Sequence, residues 1–228
     1  MGGRMYTTDL NYKDRESKAR YIFDQYKTLL KSNVLDVGAD AMYLKHSILK
    51  NGGQYKGIGY GNDIDVELNL EKTPLPFKDN EFETVICFDV LEHLENTHEV
   101  FDELCRVSSD HIIISLPNPW SDFFTVLRNG DHSPETRLKF YGLPKEKPED
   151  RHRWFYSKQE AIDFIEYRAN KNGWKVSQVD SLNDGRKMGG NGLKGLLGRA
   201  ILKLLFRADI DKLGLHHSTI WFVLEKKK

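Results

Sequence analysis

The chain has 228 residues, of which 39% are hydrophobic and 30% charged, a balance that is typical of a folded globular protein and excludes a disordered one. The length suits a single domain over residues 1–228 better than two domains. Lysine and arginine together number 34, as do aspartate and glutamate, so no overall charge favours DNA or RNA and we expect no nucleic-acid partner.

The first predicted elements are a helix and a β-loop-α unit. Apolar residues at helical spacing over residues 14–30 predict an amphipathic helix, so residues 1–30 are interpreted as an N-terminal cap segment. Asn33–Val37 predicts the first strand, and residues 42–49 predict the helix that follows it. The turn at Asp36-Val37-Gly38 is expected to present backbone N–H groups to a bound anion.

The middle of the chain predicts four more strands. Residues 55–59 and 65–70 predict the second and third, with too few residues between them for a crossover helix. Residues 84–88 and 111–116 predict buried strands, and residues 91–107 predict one helix between them. This alternation indicates an α/β fold with a parallel sheet, whose ligands bind at the carboxyl ends of the strands.

The segment after the fifth strand contains several prolines. Residues 118–155 predict an irregular insertion, which we interpret as a lid over the carboxyl ends of the strands, and a surface elaboration is the alternative. Residues 157–172 predict a helix with Ser157 as its N-cap, and residues 175–179 and 219–224 predict strands that close the sheet.

Residues 183–215 combine a glycine-rich stretch with a basic amphipathic helix. Within residues 193–207 leucine, isoleucine and alanine form one stripe, and lysine and arginine lie off it. We predict that the stripe docks on the protein's own core or on a second copy in a homodimer. The alternative is peripheral contact with a membrane or with a lipid-linked acceptor.

The sequence predicts neither secretion nor a membrane span. Residues 1–10 lack the pattern of a signal peptide, and no run of about 18 apolar residues occurs, so we expect a cytoplasmic protein. Cys87 and Cys105 fall in a predicted strand and a predicted helix, where buried and reduced thiols are usual.

The most specific signal is a block of motifs in the first half of the chain. It runs from Leu75-Pro76-Phe77 to Asp89-Val90-Leu91-Glu92-His93-Leu94, with Leu35-Asp36-Val37-Gly38 upstream and Ser115-Leu116-Pro117-Asn118 downstream. In order and spacing, residues 31–119 closely resemble the small-molecule branch of the S-adenosylmethionine-dependent methyltransferase superfamily. The resemblance implies a Rossmann-like three-layer sandwich, with a mostly parallel seven-stranded sheet and an antiparallel last strand. It also implies that S-adenosyl-L-methionine lies across the carboxyl ends of the first, second and fourth strands.

The resemblance implies which residues bind this cofactor. Asp36 and Gly38 match the first cofactor turn, where the methionine part approaches the backbone. Asn69 and Leu70 match the pair that faces the adenine. Asp89 matches a position beside the methionine and the reacting methyl group.

Two positions depart from the family pattern. Asp40 stands where the Gly-x-Gly turn has its second glycine, although aspartate tolerates left-handed backbone better than most residues. Gly59 stands where the family has an acid that holds the ribose, and Asp63 or Asp65 is a candidate to replace it. These departures motivate an alternative function, a catalytically impaired methyltransferase-like binding or scaffold protein.

Methyl transfer to an oxygen or nitrogen needs alignment, exclusion of water and removal of a proton. Besides Asp89, the catalytic candidates are His93, His132 and His152, because an imidazole titrates near neutral pH, with a structural role as the alternative for each. The eight histidines are scattered without ligand spacing, so no metal site is predicted. A dinucleotide-binding oxidoreductase is disfavoured, since only the first glycine of its Gly-x-Gly-x-x-Gly motif is present. The expected acceptor is a small or lipid-linked molecule.

Overall fold

The computed structural model describes residues 14–61, 64–130, 139–183, 193–205 and 209–228. Within these ranges the strands are β1 Asn33–Val37, β2 Gln54–Gly59, β3 Val66–Glu67, β4 Phe82–Phe88, β5 Ser108–Pro117, β6 Trp174–Asn183 and β7 His217–Lys226. The α-helices are α1 Arg15–Tyr26, α2 Lys45–Lys50, α3 Thr97–Val107, α4 Pro119–Asn129, α5 Lys158–Lys171, α6 Leu193–Leu205 and α7 Ile210–Leu213.

The strands form one sheet in the order β3-β2-β1-β4-β5-β7-β6. Only β7 runs antiparallel, and it lies between β5 and β6 rather than at the edge. This confirms the Rossmann-like sheet, with an antiparallel strand that is last in the chain. After β1 the chain forms β2 and β3 on one side of β1, and it then forms β4 on the other side. The strand order therefore reverses between β1 and β4, and α/β sheets bind ligands at such a switch point.

Helices cover both faces of the sheet and give the three layers. Successive residues of a strand point to opposite faces, so Val85 and Cys87 of β4 join one buried cluster and Ile86 joins the other. The first cluster packs against α3 and α5, and the second packs against α1 and α2.

An aromatic group attaches α1 to the sheet. Trp221 of β7 is fully buried, and its ring contacts those of Tyr21 and Tyr26 from α1 and of Phe88 from β4. Asp14 starts the helix, because its side chain accepts a hydrogen bond from the Ser17 N–H while the Ser17 hydroxyl pairs with the Asp14 backbone. The predicted N-terminal helix is therefore confirmed, with a shorter span.

The predicted helix over residues 91–107 is wrong as a single element. A 3-10 turn at Leu91–His93 comes first, and α3 begins only at Thr97. The carbonyl of Leu94 accepts hydrogen bonds from the Trp154 indole at 2.7 Å and from the Thr97 hydroxyl at 3.1 Å. These partners replace the helical hydrogen bonds that would have continued the turn.

The prediction that residues 118–155 are irregular is wrong for its first third, which forms α4. Asn118 is the N-cap and accepts a hydrogen bond from the Trp120 N–H, and Pro119 occupies the first helical position. Proline is favoured there, because its missing N–H has no partner within the helix anyway. By contrast, the capping box at Ser157 and the buried, free Cys87 and Cys105 are confirmed.

The third strand and α2 are shorter than predicted. Asn69 ends the strand region with a turn, in which its side chain accepts a hydrogen bond from the Glu71 N–H. Met42 adopts a φ of 49°, which is incompatible with a helix, so α2 starts at Lys45. Helix α7 was not predicted.

Helix α6 exposes the part of its apolar stripe that the structure describes. The exposed apolar side chains that the structure describes on it are Leu193, Leu197, Ile201, Leu204 and Leu205. Docking on the protein's own core is therefore wrong for these positions. The glycine-rich residues 184–192 lie outside the described ranges. Among the described helices, none is both long and apolar enough to cross a membrane.

Candidate active site

A cavity of about 670 Å³ opens at the carboxyl ends of β1 and β4, at the switch point of the sheet. Small-molecule sites typically measure about 300–1,000 Å³. The wall comes from α1, the turn after β1, the exit of β4 and the segment around residues 139–152. Of the predicted site residues, it includes Asp36, Gly38, Asp40, Asp89, His93 and His152.

The turn after β1 is tightly packed. Gly38 has a φ of 81°, and a Cβ atom built there would lie 2.2 Å from Cγ2 of Val90. The N–H groups of Gly38 and Ala39 both donate to the carbonyl of Ile58, at 2.8 and 3.1 Å. The expectation that these N–H groups face an anion is therefore wrong. Asp40 has a φ of 43°, which confirms that aspartate can occupy the place of the second glycine.

Asp36 is the most deeply buried acid of this turn. It is 6% exposed, and its carboxylate accepts a hydrogen bond from the Tyr55 hydroxyl at 2.7 Å. Burial raises the pKa of Asp36 to about 7, although the hydrogen bond from Tyr55 opposes the shift. Near neutral pH, Asp36 is therefore balanced between its charged and neutral forms.

The acids nearest to α1 form ion pairs with it. Lys18 pairs with Asp89, which also accepts a hydrogen bond from the Ser115 hydroxyl at 2.6 Å. Burial raises the pKa of Asp89, but the charge and hydrogen bond of Lys18 outweigh burial and hold the pKa below its ordinary value. Arg15 pairs with Asp40 nearer the surface.

Sequence reasoning missed Arg15 and Lys18 as site residues. Both lie on the helical face that also carries Ala19 and Ile22, and all four line the cavity. The sequence did contain an indication of this role, because the two cations lie on the inward-facing side of an amphipathic helix. That helix was interpreted only as a cap for the core.

Neither Gly59 nor Asp65, at the end of β2 and beyond it, provides a side chain in the cavity that could bind a ribose. Gly59 does not line the cavity, and a Cβ atom there would lie 3.2 Å from the Gly38 backbone. Asp65 accepts hydrogen bonds from Lys45 and from the Gly57 N–H and also lies off the cavity wall, while Asp63 lies outside the described residues. Tyr60 is exposed and lines the cavity.

The predicted adenine pair is also away from the cavity wall. The Asn69 side chain makes its turn with Glu71, and Leu70 is buried in the core. Neither residue is among those that line the cavity.

Two of the three candidate bases meet in the structure, and His132 lies outside the described residues. The rings of His93 and His152 are 4.5 Å apart and nearly perpendicular. Phe140 stacks flat on His152 at 4.3 Å. Burial lowers the pKa of His152 to about 4, with the nearby His93 adding to the shift, so this imidazole is neutral at neutral pH.

Glu92 was not predicted as a site residue, yet it lies beside both histidines. Its side chain is fully buried, and neither carboxylate oxygen accepts a hydrogen bond from any residue in the described part of the chain. Burial raises the pKa of Glu92 well above its ordinary value, and the charge of Asp89 adds to this. One ligand atom each from Glu92, His93 and His152 lies within 4.8 Å of the others. The premise that the histidines are too scattered to form a ligand cluster is therefore wrong.

Comparisons with known proteins find similarity to methyltransferases. A family model described as a methyltransferase domain matches residues 35–111. No curated protein sequence matches the chain.

Solved structures share the fold at low sequence identity. A S-adenosylmethionine-dependent methyltransferase from Archaeoglobus fulgidus is 15% identical, with a TM-score of 0.60 over 94% of this chain and 96% of that one. A magnesium protoporphyrin IX methyltransferase from Synechocystis PCC 6803, solved with bound S-adenosylhomocysteine, is 14% identical, with a TM-score of 0.53 over 93% and 83%. The [4+2]-cyclase SpnF is 10% identical, with a TM-score of 0.56 over 99% and 87%.

Proposed function

We propose that the chain is an S-adenosylmethionine-dependent methyltransferase that binds S-adenosyl-L-methionine and methylates an oxygen or nitrogen of a small or lipid-linked molecule in the cavity at the ends of β1 and β4. The methyltransferase domain model that matches residues 35–111 and the shared fold support this proposal. One observation carries the proposal. The same cavity is lined by the carboxylates of Asp36, Asp40 and Asp89 and by the imidazoles of His93 and His152.

Three of the carboxylates that line the cavity fit a cofactor that carries positive charge. Asp36, Asp40 and Asp89 all line the cavity, and a sulfonium and an ammonium group are both stabilised by nearby carboxylates. Arg15 and Lys18 suit the cofactor's own carboxylate. We assign these five residues to the cofactor half of the cavity.

The two imidazoles that line the cavity fit the acceptor. S-adenosylmethionine supplies an electrophilic methyl group, and the protein's task is to align the acceptor, exclude water and take up a proton where the acceptor must lose one. His93 and His152 are the residues that we place beside the reacting group of the acceptor, and Phe140 holds the His152 ring in place. The low pKa keeps the His152 ring neutral near pH 7.

Calorimetry with S-adenosylmethionine and S-adenosylhomocysteine tests the cofactor half. We expect both to bind, and we expect Asp89→Asn to weaken S-adenosylmethionine at least about tenfold, as the loss of a charged partner does. Asp79→Asn is the matched control, because Asp79 is exposed and pairs with Arg106 away from the cavity. No affinity for either ligand would instead support the methyltransferase-like scaffold.

We further propose that α6 contacts a membrane surface, as a cytoplasmic protein with a lipid-linked acceptor would require. The five exposed apolar side chains of α6 support this, and the sequence places basic residues between them. A second copy of the chain is the competing occupant of this surface.

Cosedimentation with vesicles containing anionic lipid tests the membrane contact. We expect the wild type to sediment and the Leu193→Ser/Leu204→Ser double variant to remain in the supernatant. Leu143→Ser is the control, because Leu143 is 94% exposed and lies outside α6. A dimer in analytical ultracentrifugation that the double variant abolishes, without vesicle binding, would favour the second copy.

A further inference from the structure

We infer that Glu92, His93 and His152 bind a divalent transition-metal ion, which selects a hydroxyl group as the methyl acceptor. The inference rests on the proposed function and names the substrate class of the same cavity. It starts from the cluster of ligand atoms that lie within 4.8 Å of one another on the cavity wall.

The two imidazoles are already oriented as metal ligands usually are. His93 uses Nδ1 in a 2.6 Å hydrogen bond with the Asp150 carboxylate, and His152 uses Nδ1 in a 2.6 Å hydrogen bond with the Tyr141 hydroxyl. Such partners fix the ring and leave Nε2 for the metal. The His93 ring is further held edge-on to Phe140.

Glu92 supplies an independent observation. A fully buried carboxylate without a hydrogen-bond donor is destabilising, so native proteins rarely keep one without a partner. Its Oε1 lies 3.6 Å from Nε2 of His93. A cation between the carboxylate and the two imidazoles would satisfy this group, and among the described residues only His93, when protonated, lies within ion-pair distance of it.

The donor set indicates the kind of metal. Two imidazoles and one carboxylate are the protein ligands of catalytic zinc sites, which keep a further position open for water or substrate. Imidazole ligands favour zinc and its transition-metal neighbours over magnesium or calcium, which prefer oxygen.

The open position would hold the acceptor oxygen. A divalent ion there lowers the pKa of a bound hydroxyl group, so its proton is lost to water and the oxygen becomes nucleophilic. The oxygen then forms the new O–CH3 bond while the S–CH3 bond breaks, and the bonding pair stays on sulfur as S-adenosylhomocysteine. An amine acceptor is disfavoured, since its lone pair would be engaged by the metal.

Zinc titration of the chelator-treated full chain tests the site, with Co²⁺ absorption as a second readout of imidazole ligation. We expect one Zn²⁺ per chain. Glu92→Gln and His152→Gln should each weaken Zn²⁺ by more than about tenfold, and Asp150→Asn by about 10- to 100-fold through loss of the carboxylate behind His93. The control is His46→Gln, because His46 is exposed on α2 and should leave Zn²⁺ affinity unchanged.

Binding of S-adenosylhomocysteine by every variant serves as the readout of folding and of the proposed function. Variants that keep this ligand but lose Zn²⁺ support the metal site. A wild type that binds S-adenosylhomocysteine but no Zn²⁺ overturns the metal site alone. Equal Zn²⁺ affinity in Glu92→Gln and His46→Gln also overturns it. A wild type that binds Zn²⁺ but no S-adenosylhomocysteine contradicts the proposed function instead.

Discussion

Replacing Gly38 by alanine separates two physical reasons for a glycine beside the cofactor half of the cavity. Gly38 has a φ of 81°, and left-handed backbone is destabilising for a residue with a Cβ atom by about 1–2 kcal/mol. The Cβ atom would also lie 2.2 Å from Val90, and overpacking of this kind is destabilising by about 1–3 kcal/mol. We therefore expect Gly38→Ala to lower the free energy of unfolding by about 2–5 kcal/mol, the sum of these two effects.

Gly173 offers a matched control. Its φ is 79°, and a Cβ atom there meets nothing within 4 Å. Gly173→Ala should therefore show only the backbone effect, about 1–2 kcal/mol. Both variants gain the same small stabilisation from a stiffer unfolded chain, so it cancels in the comparison.

Urea unfolding of the two variants and of Gly38→Ala/Val90→Ala measures each contribution. The double variant should recover the part that comes from the clash, which appears as a coupling energy of about 1–3 kcal/mol between the positions. Equal destabilisation by Gly38→Ala and Gly173→Ala would refute the packing argument. The absence of coupling to Val90 would refute it as well.

Three further predictions concern other parts of the fold. The pKa of Asp36 is 3.8 ordinarily and about 7 in the folded protein, so the stability of the wild type falls as the pH rises between these values. Asp36→Asn should remove this fall. In urea unfolding across this range, the stability of the variant relative to wild type should increase up to about pH 7 and then level off. Asp89→Asn should lower kcat/KM for methyl transfer by about 10- to 100-fold through loss of a charged partner, while Asp79→Asn leaves it unchanged in the same assay. Ser157→Ala should lower the unfolding free energy by about 1 kcal/mol, because the Glu160 N–H loses its cap; no change in the urea midpoint would contradict this.

The fold could be predicted because its signals are local. Asn33–Val37 reads as a buried strand in the sequence and forms β1 with the same bounds. The cap at Ser157 was predicted because it depends on residues within one turn of helix. The sheet order confirms the fold that the motifs implied.

The site was predictable only in part, because several contacts join distant segments. Asp36, Gly38 and Asp89 lie at strand ends, and the ends of β1 and β4 must meet in a parallel sheet. Lys18 reaches Asp89 from a helix whose placement depends on packing against Trp221. Sequence spacing places Lys18 on the inward face of its helix but does not identify Asp89 as its partner.

One segment accounts for both corrections on the acceptor side. The Arg153 N–H donates to the carbonyl of Glu92 at 2.7 Å, and the Trp154 indole donates to that of Leu94. These hydrogen bonds interrupt the predicted helix after His93, and the same segment carries His152 to the cluster. The break in the predicted helix and the meeting of the two histidines therefore both depend on the segment that contains residues 152–154. Trp154→Phe, which removes the indole N–H, should therefore weaken Zn²⁺ binding in the zinc titration without changing any of the three proposed ligands, and unchanged Zn²⁺ affinity would contradict this.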